Sequence, residues 1–314
     1  MKGKVLFIDS VHPVLKEELE SDGWKCDWHV HKSKAEIEAE IGEYDGIVIR
    51  SKFTMDRQMI DLSMNLKFIA RSGAGLENID VEYAEKKGIL IINSPEGNQD
   101  AVGEQALGML LSLFQKLNKA DSEVRSGVWD REGNRGIELK GKAVGIVGFG
   151  HMGSAFAQRL KGFECEVLAY DKYKKGFSNE WVKEVELKEL QAQSDVISFH
   201  VPLTEETHYY FNADFISKCR KPVYLINTAR GKVVNTEDLV EGLKNNQVLG
   251  ACLDVLEYES AAFDNEGVAN SSEALTYLLK SDKVILSPHV AGWTKESYVK
   301  LSLFLLEKIR ANFS

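Results

Sequence analysis

Cysteine is scarce and unpatterned in this chain. Four occur in 314 residues, Cys26, Cys165, Cys219 and Cys252, with no Cys-x-x-Cys and no paired spacing. That excludes a disulfide framework, and the four read as reduced thiols, mostly small core fillers. The seven histidines form no His-Glu-x-x-His and no Cys/His cluster, so no metal is expected. Basic excess is missing too. The net charge is −9, which argues against nucleic acid as a partner. The longest apolar stretches, such as Ala106 to Phe114, are far too short to span a bilayer, so no membrane partner is expected. There is no internal repeat and no low-complexity tract. The chain opens on an apolar segment, Lys4-Val5-Leu6-Phe7-Ile8, without a signal-peptide core, and the expected location is the cytoplasm.

What is present is ordinary globular material, 44% hydrophobic and 28% charged, in a chain long enough for two domains. Short apolar strands alternate with amphipathic helices, the pattern of parallel sheets covered on both faces. The first set of strands is expected at 4–9, 26–30, 46–50, 68–71 and 89–93. The second is expected at 143–148, 166–171, 196–200, 223–228, 249–255 and 284–287. A single long helical pattern runs from about Gln99 to Gly127, with apolar Val102, Ala106, Met109, Leu110, Leu113, Phe114 and Leu117. Another closes the chain, from about Thr294 to Phe313. The fold class expected is α/β, with two doubly wound Rossmann-like domains, parallel sheets and a catalytic cleft between them. Asn93–Asn98 and Ser287–His289 read as hinges. The polar loop from Ser260 to Ser272 is assigned no chemistry.

The most informative stretch is Val144-Gly145-Ile146-Val147-Gly148-Phe149-Gly150-His151-Met152-Gly153. It is an apolar strand running into a Gly-x-Gly-x-x-Gly turn, followed by a helical pattern and a second strand that ends at Asp171, roughly twenty residues on. Gly148 allows the tight turn, Gly150 lets backbone N–H groups approach a pyrophosphate, and Gly153 lets the helix pack on the strand. Asp171 suits an adenosine ribose and would repel a 2′-phosphate. The cofactor expected is therefore NAD.

Three later segments end predicted strands, where open α/β sheets place ligands. In Asn227-Thr228-Ala229-Arg230-Gly231, Arg230 offers a planar grip on a carboxylate or developing oxyanion, or is simply a surface arginine. Leu253-Asp254-Val255-Leu256-Glu257-Tyr258-Glu259 carries three carboxylates, of which Glu257 reads as solvated charge. In Ser287-Pro288-His289-Val290-Ala291-Gly292-Trp293, His289 has room around its ring. Pairing with a carboxylate, Glu259 by preference, would fix its tautomer and raise its pKa for proton delivery near neutrality.

Taken together these residues resemble the D-isomer-specific 2-hydroxyacid dehydrogenases, over essentially the whole chain. The resemblance implies that Arg230 binds the substrate carboxylate and carbonyl, Glu259 pairs with His289, and His289 is the acid/base. It places Asp254 near the nicotinamide carboxamide. The cofactor contacts expected are Gly148, Gly150, His151, Met152, Gly153, Asp171, Val201, Pro202, Thr228, Ala229, Asp254 and Gly292. It also implies a discontinuous, flavodoxin-like substrate-binding domain, 1–98 with 289–314, around an NAD-binding domain, 99–288, and a homodimer built on the long central helix.

Within the family the chain is most similar to the 3-phosphoglycerate dehydrogenases of serine biosynthesis. Ile49-Arg50-Ser51, Ala70-Arg71-Ser72-Gly73-Ala74-Gly75 and Gly127-Val128-Trp129-Asp130-Arg131 carry that similarity. It implies that Arg50 and Arg71 face a substrate phosphate, that Ser51 beside Arg50 is a substrate contact, and that Arg131 reaches the neighbouring subunit's site. The backbone N–H groups of Ser72, Gly73, Ala74 and Gly75 are expected to hold the substrate carboxylate. Two departures stand out. Ser260 replaces the usual Pro after the Glu, and Trp293 interrupts the usual run of small residues after the His, as an aromatic does in erythronate-4-phosphate dehydrogenases. The chain ends after its closing helix, so serine feedback through a C-terminal regulatory domain is not expected. Other readings are a general D-2-hydroxyacid dehydrogenase, such as a hydroxypyruvate or glyoxylate reductase, an erythronate-4-phosphate dehydrogenase, and an NAD-sensing corepressor-like protein. A Rossmann-like methyltransferase ranks last, because it leaves Arg230, Glu259 and His289 unexplained.

Overall fold

The computed structural model describes residues 2–259 and 272–313. Ser260 and the loop that follows it, up to residue 271, lie outside the described residues. The chain divides into two compact units, Met1–Asp100 with Gly292–Ser314, and Ala101–Ala291.

The first unit is built on five strands: β1 (Gly3–Phe7), β2 (Trp24–Trp28), β3 (Gly46–Ile49), β4 (Phe68–Arg71) and β5 (Leu90–Asn93). They lie in the order β2-β1-β3-β4-β5, all parallel. Side chains alternate between two cores with a period of two. Leu6, Ile8, Ile47, Ile49 and Ile69 enter one. Val5, Phe7, Val48, Phe68 and Ala70 enter the other. The closing helix Lys295–Asn312 adds Leu305, Leu306 and Ile309 to the second core. Each fully buried aliphatic side chain there contributes about 1.5–3 kcal/mol, which ties the chain's last element to its first strands.

The second unit carries β6 (Ala143–Val147), β7 (Glu166–Tyr170), β8 (Lys183–Glu184), β9 (Val196–Phe199), β10 (Val223–Asn227), β11 (Val248–Leu253) and β12 (Val284–Leu286). Their order is β12-β11-β10-β9-β6-β7-β8. Both units are thus doubly wound parallel sheets. Each reverses strand order at one point, between β1 and β3 and between β6 and β9, and such points open the crevices where these folds bind ligands.

Two expectations need correction. The helical pattern from Gln99 to Gly127 is two helices, Gln99–Phe114 and Leu117–Arg125. Lys116 adopts φ +51° at the break. The Phe114 carbonyl, which a continuous helix would use internally, instead accepts the Ile137 N–H at 3.0 Å. Past the break no helical residue is buried, so nothing apolar held the second half in line with the first. The short strand β8 was also missed, because two residues carry no periodicity. Except for β4 and β5, the other strands stop one or two residues earlier than expected, and the residue just past the ladder is often a polar candidate: Arg50, Asp171, Thr228 and Asp254 each follow a strand end directly. Their side chains are released there by the departing crossover. Among the described residues no helix is long and apolar enough to cross a membrane.

Candidate active site

The glycine turn leaves β6 into the helix His151–Arg159. Gly148 has φ +93°, and a Cβ on it would crowd the His200 carbonyl. A Cβ on Gly153 would collide with the Gly148 carbonyl oxygen, whereas one on Gly150 would meet nothing. The turn is closed on its protein side and open at Gly150, which is the cap residue of that helix and makes no side-chain capping bond. Backbone N–H groups at this terminus are therefore disposed toward an anion. Exposed His151 and half-buried Met152 begin the helix.

Asp171 closes the second side. One carboxylate oxygen accepts the Phe149 N–H at 2.8 Å, and the other accepts the Tyr173 and Lys174 N–H groups, both at 2.9 Å. Burial by itself would raise its pKa, but these backbone donors more than offset it and hold the carboxyl below the ordinary range. Val201 follows β9 beside the glycine turn, across the reversal point, and Pro202 is the next residue in the chain. The buried Thr228 hydroxyl, just past β10, has no hydrogen-bond partner among the described residues, and Ala229 beside it is buried. An open, uncapped helix start, an ionised carboxylate at the next strand end and an orphaned hydroxyl fit a dinucleotide such as NAD. Replacing Gly153 by alanine should cost about 1–3 kcal/mol of stability by overpacking and weaken NADH binding with it. Thermal unfolding and NADH titration would check this.

The same unit assembles the proton-handling group. The buried Asn227 side chain shapes the turn after β10, accepting the Ala229 N–H at 3.1 Å and donating to the Arg230 carbonyl at 3.0 Å. Arg230 directs one guanidinium nitrogen to the Ala229 carbonyl at 2.7 Å. After β11, Glu259 is anchored by its own turn: one oxygen accepts the Leu256 N–H at 2.6 Å. Its other oxygen meets His289 Nδ1 at 2.8 Å. That contact raises the His289 pKa, desolvation opposes it, and nearby Arg230 lowers it further while Asp254 raises it.

His289 itself sits at φ +53°, a conformation a non-glycine residue adopts only when its surroundings impose it. Asp254 imposes it. Its buried carboxylate accepts the Ser287 hydroxyl at 2.6 Å, the Val290 N–H at 3.0 Å and the Ala291 N–H at 2.8 Å. Its carbonyl accepts the His289 N–H at 2.8 Å. Asp254 therefore acts on the protein's own histidine loop with both oxygens, a role that spacing did not suggest. Glu257 is not merely solvated charge. It accepts the Thr236 N–H at 2.8 Å and the Tyr209 hydroxyl at 3.2 Å, at the start of the helix Thr236–Lys244.

In the first unit the candidates cluster at the ends of β3 and β4. Sequence reasoning missed Asp9. One of its oxygens accepts the N–H groups of Arg50, Ser51 and Lys52 at 3.0, 2.7 and 2.9 Å. Asp9 follows β1, so this clamp bridges the reversal point of that sheet, and an acidic residue at a predicted strand end was the available signal. Arg50 lies under Trp293, with its guanidinium carbon 4.1 Å from the ring centroid. Arg71 rests against Gly73, where a Cβ would strike its guanidinium. The expectation for the loop after β4 narrows. The Ser72 N–H belongs to the sheet, donating to Ile49 at 2.8 Å. The Gly73 N–H faces Ser94 Oγ at 3.4 Å. Of these four N–H groups, only those of Ala74 and Gly75 have no protein acceptor among the described residues. Arg131 is exposed in the second unit, and Gly292 is buried in the first with φ +93°.

Comparison with known proteins identifies the family. Residues 107–291 match the family described as D-isomer specific 2-hydroxyacid dehydrogenase, NAD binding domain. A D-3-phosphoglycerate dehydrogenase of Archaeoglobus fulgidus is 35% identical over 98% of this chain and 56% of its own length. The chain thus spans little more than half of that relative. A hydroxypyruvate reductase of Thermotoga maritima is 36% identical over 89% of this chain and 88% of its own. The crystal structure of a D-lactate dehydrogenase from Aquifex aeolicus, complexed with NAD and lactic acid, superposes with a TM-score of 0.82 at 30% identity, covering 98% of this chain and 95% of that one. With a glycine turn and acidic strand end shaped for NAD, and a histidine held by a carboxylate in the same unit, the chain belongs to the D-isomer-specific 2-hydroxyacid dehydrogenases.

Proposed function

We propose that this chain is an NAD-dependent oxidoreductase interconverting a D-2-hydroxy acid and its 2-oxo acid, most specifically 3-phosphoglycerate and 3-phosphohydroxypyruvate. The observation that carries the reaction type is the His289–Glu259 pair at 2.8 Å, beside Arg230 in the unit that matches the family's NAD-binding domain. NAD, held by the glycine turn and Asp171, supplies the hydride acceptor when bound. The protein's own residues do the rest. With Nδ1 engaged by Glu259, His289 exchanges protons through Nε2. Neutral His289 takes the hydroxyl proton in oxidation, and protonated His289 returns it in reduction. Arg230 grips the carboxylate and polarises the carbonyl. Asp254 keeps the histidine loop in its strained form. The first unit is read as the substrate-binding domain, with Arg50, Ser51, Arg71 and the Ala74 and Gly75 N–H groups receiving the anionic substrate.

The phosphate reading rests on Arg50. Burial lowers its pKa, opposed by Asp9 and Tyr298, and no ion pair reaches its guanidinium among the described residues. A half-buried cation of this kind is best satisfied by an anionic ligand. A second reading, a hydroxypyruvate or glyoxylate reductase, is favoured by the 36% identity to the Thermotoga maritima hydroxypyruvate reductase over nearly its full length. NADH oxidation with 3-phosphohydroxypyruvate and with hydroxypyruvate separates the two. The phosphorylated substrate should win by about 100-fold in kcat/KM, and Arg50→Ala should erase the gap. Equal rates in the wild type would assign the protein to the second reading. Leu117, Val124, Val128 and Trp129 are exposed around the helix break and before Arg131, which supports the reading of a homodimer.

A further inference from the structure

Trp293 is an expensive residue to leave in solvent, and it is 58% exposed. Its backbone is tightly specified. Thr294 caps the closing helix in a reciprocal capping box with Ser297, and the Ser297 hydroxyl also donates to the Gly292 carbonyl at 2.7 Å. The residues on either side of the indole are thus tied to one helix start. The indole itself enters neither core of the first unit. Its one aromatic or cationic contact among the described residues is Arg50, 4.1 Å from the ring centroid.

Arg50 stands at an equally specified place. It is the first residue past β3, at the reversal point of the sheet, with its backbone N–H clamped by Asp9. Asn78 holds its carbonyl at 3.1 Å. Main chain is fixed on both sides of the pair, so contact with the indole face limits where the guanidinium can lie. A guanidinium stacked on an aromatic face keeps its N–H edge for two oxygens of a carboxylate or phosphate. An unstacked arginine on the same backbone would sample several rotamers and lose that edge-on geometry.

We infer that Trp293 is a specificity-determining positioning residue, which sets Arg50 to grip the anionic tail of the 2-hydroxy acid. The inference rests on the reading of Arg50 as a substrate residue but does not require that the tail be a phosphate. Any tail anion of the substrate, phosphate or carboxylate, would use the same edge. Removing the indole should cost discrimination between tails while leaving the chemistry at C2 intact.

The test uses the full chain, as wild type, Trp293→Phe, Trp293→Ala and Arg50→Ala. NADH-dependent kcat/KM is measured for 3-phosphohydroxypyruvate, oxaloacetate and 2-oxoglutarate, which carry anionic tails, and for hydroxypyruvate and pyruvate, which do not. Trp293→Ala should lower the anionic-to-neutral ratio by at least about 10-fold, an effect of the size expected for a lost oriented charge contact. It should leave kcat for the neutral substrates within about 3-fold, and Trp293→Phe, which keeps an aromatic face, should restore most of the ratio. A ratio unchanged in Trp293→Ala but abolished in Arg50→Ala overturns the inference and leaves the phosphate reading standing. Wild-type preference for a carboxylate tail, lost in Trp293→Ala, supports the inference and overturns the phosphate reading. A wild type with no preference for any anionic tail overturns both. A uniform loss on all substrates in Trp293→Ala, with melting unchanged, also overturns the inference, because it marks a structural and not a selective role.

Discussion

Replacing His289 by alanine is expected to lower turnover by about 10²–10⁴-fold, the range for loss of a positioned general acid/base, while NADH affinity stays within about 3-fold. The prediction rests on the Glu259 contact, which is made to Nδ1 and so leaves Nε2 to exchange the substrate proton. Glu259→Gln provides the internal control. Glu259 is the largest cause of the raised His289 pKa, so its neutral isostere should let that pKa fall. Reduction needs the protonated ring and fails as pH rises through the His289 pKa; in the variant that failure should begin at lower pH. Oxidation needs the neutral ring, so its acidic limb should also move to lower pH. The double variant should be hardly worse than His289→Ala, because the carboxylate works through the ring. Opposite-moving limbs, or an unchanged profile in Glu259→Gln, would detach the histidine from the chemistry.

Arg230→Ala should be the second large loss, about 10²–10³-fold in kcat/KM, the scale of removing one donor aimed at developing oxygen charge. Arg230→Lys should recover only part of it. The turn after β10 fixes a fork, with one nitrogen spent on the Ala229 carbonyl at 2.7 Å, and a lysine supplies charge without the second, parallel donor. Steady-state kinetics with NADH titration in parallel checks the assignment. A fall in NADH affinity equal to the fall in kcat/KM would mean that Arg230 serves the cofactor or the loop and not the substrate.

Much of this protein was determined by local sequence alone. Apart from β8, the strands of both units were legible because a parallel sheet buried on both faces needs nearly continuous apolar runs, and β1, β3 and β6 supply them. The dinucleotide turn was legible because each of its glycines answers a steric demand within a few residues. Arg230, Glu259 and His289 were legible as candidates because all three lie just beyond strand ends, where side chains leave the ladder.

Only the tertiary structure decided the rest. Whether the pattern from Gln99 to Gly127 was one helix or two depended on Ile137, which claims the Phe114 carbonyl from more than twenty residues away. Asp9, some forty residues from Arg50, became its clamp because β1 and β3 are neighbours at the reversal point. Asp254 became the holder of the His289 loop because β11 and β12 pair in parallel and bring Leu253 opposite Leu286. Trp293 and Arg50 met because the closing helix packs on the first unit and returns its start to the first sheet. Sequence periodicity reports which residues leave water and which strands form. It carries no record of which strand ends become neighbours, and it is at those junctions that a carboxylate, an indole or a hydroxyl acquires its partner.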